Sequence, residues 1–464
     1  MYKLNYFNFK KLQNKYLITN DLGKYEFLSF NDFDKLVNKK QLDEIIENKL
    51  IDKGFIFKDS AEVFSKYMCG YVRNQKEYLF QSTVLHIFVV TKNCNFNCVY
   101  CQAGNLSENC KLIMSKEIAK KAVDIALQSP SEKMTFEFQG GEPLLNYDII
   151  KFIIEYTNEK KGEKQIDYCV VSNLTKINNE MIKFFKENNV AISTSIDGNR
   201  ELQNINRPYA KHDSYYETIK GLKLLKSNGL NVGAIQTTTR YSLDKYKEIV
   251  DEYIQLGFKN IFVRPLTQLG KADSSWEKIG YSAEEFIEFY KKILEYIIEK
   301  NKEGHEIAER HCDIFLRKIL ANAPLNYMEL RSPCGGSIGQ MAYYYDGNIY
   351  TCDEGRMLAE MGNQSFKIGN VNDDTYSDLI NSNVTSAMCV SSCLECLNKC
   401  ESCVYMPFCG TCPVVNLAQE NNIFSRVPEN YRCKIYKGMM EIIFGYLEKD
   451  NREVIEIFEK WIED

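Results

Sequence analysis

The sequence predicts an α/β protein whose middle forms a partial (β/α)6 barrel, with a small α+β unit before it and a cysteine-rich segment after it. Three observations predict this. From about residue 81, short apolar runs alternate with amphipathic helix-like stretches, as in a parallel sheet with crossover helices. Groups able to bind or react stand at the ends of the apolar runs, where a barrel gathers its loops. Finally, most of the 17 cysteines fall in the last third of the chain.

The chain has 464 residues, enough for two or three domains. Its net charge of −5, with both signs abundant, gives no sign of a nucleic-acid or membrane-surface protein. It has no apolar run of about 18 residues, and its first residues lack a signal-peptide core. A soluble, cytoplasmic protein with no membrane or nucleic-acid partner is expected. Cytosolic thiols stay reduced, so the cysteines point to metal ligation rather than disulfides. The four histidines, His86, His212, His305 and His311, are not paired at ligand spacing. The expected sites are therefore thiolate sites, suited to iron–sulfur clusters or zinc.

In order along the chain, residues 1–80 hold strand-like pieces at 16–20 and 25–29, then helix-like stretches at 31–39 and 42–49. Asn31 is the expected N-cap of the first helix. A small packing domain and a recognition element are both open readings of this region. Residues 81–310 supply six strand candidates: Leu85–Val90, Met134–Gln139, Ile166–Ser172, Val190–Ile196, Asn231–Thr239 and Asn260–Leu266. Helices are expected between them at 116–127, 147–156, 180–188, 215–227 and 244–256. Residues 311–464 form the cysteine-rich segment and a C-terminal helix.

Directly after the first strand comes Thr91-Lys-Asn-Cys94-Asn-Phe-Asn-Cys98-Val-Tyr-Cys101. Three thiols at this spacing can take three corners of a [4Fe–4S] cubane and leave the fourth iron without a protein ligand. A purely structural cluster would normally have four thiolates. After the second strand comes Gly140-Gly141-Glu142-Pro143, whose glycines permit close backbone approach to a ligand. The fourth strand ends in Ser193-Thr-Ser195-Ile-Asp197-Gly198, and nearby Arg207 could pair a carboxylate bidentately. Taken singly, Asp197 could cap a helix and Arg207 could form a surface ion pair.

Cys94, Cys98, Tyr100 and Cys101, together with Gly140–Pro143, resemble the radical S-adenosylmethionine (radical SAM) superfamily. The resemblance implies a TIM-like partial barrel and a cluster whose free iron binds SAM. It implies that Gly140, Gly141, Glu142 and Pro143 meet the SAM amino group through their backbone and that Tyr100 lies near the adenine. Ser195 and Arg207 would contact the remainder of SAM. Asn173 would line the same face, in Ser-Asn-Leu-Thr where many relatives have Thr-Asn-Gly.

Cys334, Gly347 and Cys352, then Cys400-x2-Cys403-x5-Cys409-x2-Cys412 and Cys433, resemble the SPASM extension of these enzymes. One residue fewer than usual stands before Cys412. The resemblance implies two auxiliary iron–sulfur clusters of [4Fe–4S] type. Cys400, Cys403, Cys409 and Cys433 would hold one, and Cys334, Cys352 and Cys412 the other. For the missing fourth ligand, Cys396, Cys393 and a substrate thiolate compete. A zinc ribbon is the alternative for the C-x2-C pairs. Cys69, Cys110, Cys169, Cys312 and Cys389 read as ordinary thiols.

Residues 85–91, 137–146, 193–198 and 353–362 are similar to peptide maturases of the His-Xaa-Ser (HxsB-type) system and to thioether-forming ranthipeptide maturases. This implies a radical SAM oxidoreductase that installs side-chain crosslinks, thioethers here, in a ribosomally made precursor peptide (RiPP maturation). Residues 1–80 would be a winged-helix-like grip on the leader, and a flavodoxin or ferredoxin would donate electrons. Asp353, immediately after Cys352, is a candidate catalytic base, or else it only caps or pairs with Arg356. The alternative function is anaerobic sulfatase maturation, forming formylglycine from Ser or Cys.

Overall fold

A computed structural model describes residues 2–58, 60–103, 112–210, 212–425 and 430–463. Cys110 lies outside the described residues. The chain opens with β1 (Lys3–Leu4), β2 (Asn8–Lys11), β3 (Tyr16–Thr19), β4 (Tyr25–Leu28), α1 (Phe30–Val37), α2 (Glu44–Asp52), β5 (Ile56–Phe57) and α3 (Ala61–Gln75). Strands β2, β3 and β4 form an antiparallel sheet, and β1 pairs with β5. Ile18, Leu28, Phe33, Leu36, Leu50 and Phe55 close a small core of their own.

The N-cap of α1 is Ser29 rather than Asn31. The Ser29 hydroxyl accepts from Asp32 N at 3.1 Å, so the helix starts before Asn31. Helix α3 escaped the sequence reading because none of its side chains is buried, leaving little apolar periodicity to detect.

The six expected strands are present as β6 (Leu85–Thr91), β7 (Lys133–Gly140), β8 (Gln165–Val171), β9 (Ala191–Ser195), β10 (Val232–Thr237) and β11 (Asn260–Arg264). Between them run α4 (Lys116–Ala126), α5 (Tyr147–Lys160), α6 (Asn179–Glu187), α7 (Arg200–Asn206), α8 (Ser214–Ser227) and α9 (Tyr246–Gln255). After β11 come α10 (Lys271–Ser274), α11 (Trp276–Ile279), α12 (Ala283–Lys302), β12 (Ala308–Glu309) and α13 (Arg310–Ile319). Neighbouring strands from β6 to β12 pair in sequence order, all parallel.

Alternation on β7 shows why these residues build such a layer. Phe136 and Phe138 are fully buried, while Glu137 and Gln139 between them are only partly covered. Each buried phenyl contributes about 1.5–3 kcal/mol.

The C-terminal third continues the same sheet. β13 (Gln340–Tyr343) pairs in parallel with β6, and β14 (Asn348–Tyr350) follows antiparallel. Next come α14 (Asp353–Glu360) and β15 (Lys367–Asn370), which completes the 10-stranded sheet. The chain ends with α15 (Tyr376–Ile380), α16 (Asn383–Ser391), α17 (Pro413–Glu420), α18 (Tyr431–Lys449) and α19 (Arg452–Glu463). Because β13 joins the barrel strand that carries the three-cysteine loop, the C-terminal thiols are anchored to the edge of that loop's own sheet. Among the described residues, no helix is long and apolar enough to cross a membrane.

Candidate active site

The loop after β6 is fastened to the loop after β7 through backbone. Gly141 N donates to Thr91 O at 2.9 Å, and Glu142 N donates to Asn93 O at 2.8 Å. A Cβ on Gly140 would lie 2.2 Å from Thr91 O, and one on Gly141 would lie 2.2 Å from Asn93 O. No side chain fits there, so both glycines are required for the approach. Glu142 is fully enclosed: it accepts from Leu144 N at 3.0 Å, Ser172 Oγ at 2.7 Å and Asn173 N at 2.8 Å. Burial pushes its carboxyl up to about 7 even against these donors. Pro143 opens the helical turn that follows. Asn173 in turn donates to Asn95 Oδ1 at 2.8 Å, tying the loop after β8 to the cysteine segment.

On the other flank, Asp197, which the sequence puts at the same strand ends without assigning it a ligand, is a hub. It is fully buried, accepts from Tyr100 OH at 2.7 Å, and pairs with Arg207 through Nε at 3.0 Å and Nη2 at 3.2 Å. The guanidinium also lies over the Tyr100 ring, 5.2 Å from its centre. The bidentate fork of Arg207 is thus engaged with Asp197, in a buried pair rather than a surface one. The cap of α7 is Asn199, not Asp197. Ser195 ends β9 beside this hub, its carbonyl accepting from Gln203 Nε2 at 3.2 Å. An acidic residue directly after a strand, ten before an arginine, was the signal available for Asp197.

Cys94, Cys98 and Cys101 are electrostatic neighbours in this frame. Burial pushes the Cys98 thiol up to about 12, with Arg207 opposing the shift. Such thiols hold their protons until a metal displaces them. Three thiols on one loop, with a buried arginine near Cys98, are a donor set that suits a cubane with one iron lacking a protein ligand.

The C-terminal thiols fall into two sets. Cys400, Cys403, Cys409 and Cys433 act on one another, burial raising Cys400 and Cys409 to about 12. All four line a cavity of about 460 Å³, far more than the roughly 10–15 Å³ needed to hold one water. That room suits an inorganic cluster. Cys334, Cys352 and Cys412 are buried together in a separate apolar cluster with Leu358, Met388 and Val414. Cys396 does not join them: it lies exposed beside Cys393, which donates to Glu395. The 394–396 turn turns it to the surface, so sequence proximity misled. No disulfide forms among the described cysteines. Among the described residues, no three His, Cys, Asp or Glu side chains gather as they would around a single ion.

Asp353 starts α14 and pairs with the buried Arg356, whose Nε donates to Oδ1 at 3.1 Å. It also faces Glu137 of β7, whose carboxyl is raised first by burial and then by Asp353. The base candidate therefore stands between the second barrel strand and the Cys352 set.

Residues 88–241 match the family model of the radical SAM superfamily. The Cysteine-type anaerobic sulfatase-maturating enzyme of Clostridium novyi (strain NT) is 26% identical over 363 residues, covering 76% of this chain and 92% of that relative. Among solved structures, native anSMEcpe with bound AdoMet aligns with a TM-score of 0.67 at 21% identity, over 82% of this chain and 99% of that one. Streptococcus suis SuiB bound to precursor peptide SuiA aligns at 0.56 and 16% identity, over 92% of this chain and 99% of that one. At these identities the two structures show a shared fold. The three-thiol loop follows β6 of the parallel sheet, within the residues 88–241 that match the radical SAM family model.

Proposed function

We propose that the protein cleaves S-adenosylmethionine reductively and installs a side-chain crosslink, a thioether, in a ribosomally made precursor peptide. The observation that carries the radical half is the cysteine loop clamped by backbone to Gly141 and Glu142. Cys94, Cys98 and Cys101 would hold a [4Fe–4S] cluster, which would supply the electron for reductive cleavage of SAM. Gly140 and Gly141 hold the backbone close to the SAM amino group. Tyr100, Ser195, Asn173 and Arg207 line the rest, with Asp197 fixing the Arg207 and Tyr100 orientations.

Crosslinking removes two hydrogens from the peptide. One leaves the substrate carbon in 5′-deoxyadenosine, and the other leaves the cysteine thiol as a proton as sulfur bonds to that carbon. Asp353, next to Cys352 in the chain and paired with Arg356, would be the base that takes that proton. The electron left over needs an acceptor, the chemistry that auxiliary clusters on the C-terminal thiols would supply. Flavodoxin or ferredoxin would deliver the first electron.

Residues 1–80 would grip the leader by strand addition to the β2–β3–β4 sheet, residues 81–310 would generate the radical, and residues 311–464 would direct it. The N-terminal unit docks on the auxiliary thiol loop, with Thr19 Oγ1 donating to Val404 O at 2.7 Å and Asn8 Nδ2 to Cys403 O at 3.2 Å. A leader bound there would lie beside the thiols that handle the core peptide.

A second reading, formylglycine formation in a sulfatase, is favoured by the Cys352–Asp353 step and by the similarity to the Clostridium novyi enzyme. Mass spectrometry of a candidate peptide after anaerobic turnover separates the two. Loss of two hydrogens with sulfur retained supports the crosslink; loss of a cysteine sulfur, or oxidation of a serine with no crosslink, overturns it.

A further inference from the structure

A small cavity lies where the N-terminal unit, helix α13 and the C-terminal third meet. Its volume is about 50 Å³, against the roughly 10–15 Å³ that one water needs, so it has room for a group the size of a few waters. Gln75, Lys76 and Tyr78 line it from the N-terminal side, Lys318 from α13, and Arg331 and Glu395 from the C-terminal third.

Two of its cations are deeply buried with neutral partners. Arg331 is 2% exposed and Lys318 9%. The Arg331 guanidinium lies 4.2 Å from the centre of the Tyr78 ring, Nε donates to Pro333 O at 3.2 Å, and Nη1 donates to Asn326 Oδ1. Its Nη2 is buried with no hydrogen-bond partner among the described residues. Lys318 Nζ donates to the carbonyl of Leu330, a single acceptor for an ammonium with several N–H groups. Lys76, by contrast, is matched: its Nζ pairs with Glu395 Oε1 at 2.6 Å and donates to Ser332 O at 2.5 Å. Asp21, the other carboxylate on the lining, is exposed at the rim. Burying cations away from a counter-charge is costly. Two fixed cations around a small space, one with an open N–H, are the donor set that an oxyanion needs.

We propose that this cavity binds a small oxyanion, a carboxylate or a phosphate, between Lys318 and Arg331. The inference goes beyond the crosslinking reading and does not depend on it. The occupant would come from an acidic side chain of a bound peptide or from free phosphate. With one cation from α13, another from the C-terminal third and a wall from the N-terminal unit, the anion would tie the three together. Met406 and Cys409 line both this cavity and the larger thiol cavity, so thiolates there are the competing counter-charge.

The test is isothermal titration calorimetry on the full chain, reconstituted anaerobically, at an ionic strength held constant with chloride. Inorganic phosphate and acetate are the probes, acetate standing for an acidic side chain. Saturable one-to-one binding of either supports the site, and the tighter of the two names the source. K318M should weaken that binding at least about tenfold. D21N, which removes a negative charge from the rim, should tighten it about threefold. No saturable binding of either probe would mean that the thiolates supply the counter-charge, and it overturns the proposal. So does an affinity unchanged in K318M. If K318M does not fold, the exposed position decides: D21N binding no tighter than the unaltered chain overturns it. Binding that leaves hydrogen exchange in residues 75–80 unslowed also overturns it, because the anion would then lie elsewhere.

Discussion

Cys94, Cys98 and Cys101 stand in one loop held by two backbone hydrogen bonds from the neighbouring strand, whereas Cys334, Cys352 and Cys412 arrive from three separate segments. The first set of thiols needs only β6, β7 and the glycines at the end of β7 to take its shape. The second needs β13 laid along β6, two helix starts turned inward, and the 388–392 segment beneath Cys334. A locally encoded site survives distant change, while an assembled one depends on the packing of the whole C-terminal third.

The largest expected effect tests the local centre. Replacing Cys94, Cys98 and Cys101 by Ala should abolish reductive cleavage of SAM, measured as 5′-deoxyadenosine released under dithionite; continued release would remove the loop from the chemistry. Next, C334A/C352A should leave that release largely intact while crosslinked peptide disappears from the mass spectrum. Crosslinked product from this variant would mean that the two regions do not divide the reaction as proposed.

A smaller effect probes the hub beside the first centre. D197N leaves the buried Arg207 charge without its partner and should cost about 3–5 kcal/mol of stability, read from the denaturant midpoint. Y100F removes only a hydrogen bond to that carboxylate and should cost about 1.5–3 kcal/mol. If D197N unfolded no more easily than Y100F, Asp197 would not be the element that holds this flank together.

Much of the barrel was legible because it is written in local periodicity. Each expected strand was found within a few residues, and the cysteine and glycine loops fell at the strand ends where their spacing put them. The cap at Ser29 was misjudged by two positions, since several residues near a helix start can accept a backbone donor. Asp197 looked ordinary in sequence because its partners, Tyr100, Arg207 and the Thr237 amide at 3.1 Å, come from different turns of the barrel. Cys396 looked like a ligand because it is near other cysteines in the chain, a nearness the 394–396 turn undoes.

By itself, the sequence determined the order of the six strands from β6 to β11, the three-thiol loop, and the need for two glycines opposite it. These follow from short-range rules of side-chain period and backbone clearance. Only the tertiary structure decided that the sheet runs on into β13 and which thiols of the C-terminal third are buried together. Those outcomes depend on contacts between residues far apart in the chain, where burial and charge are set by the completed packing.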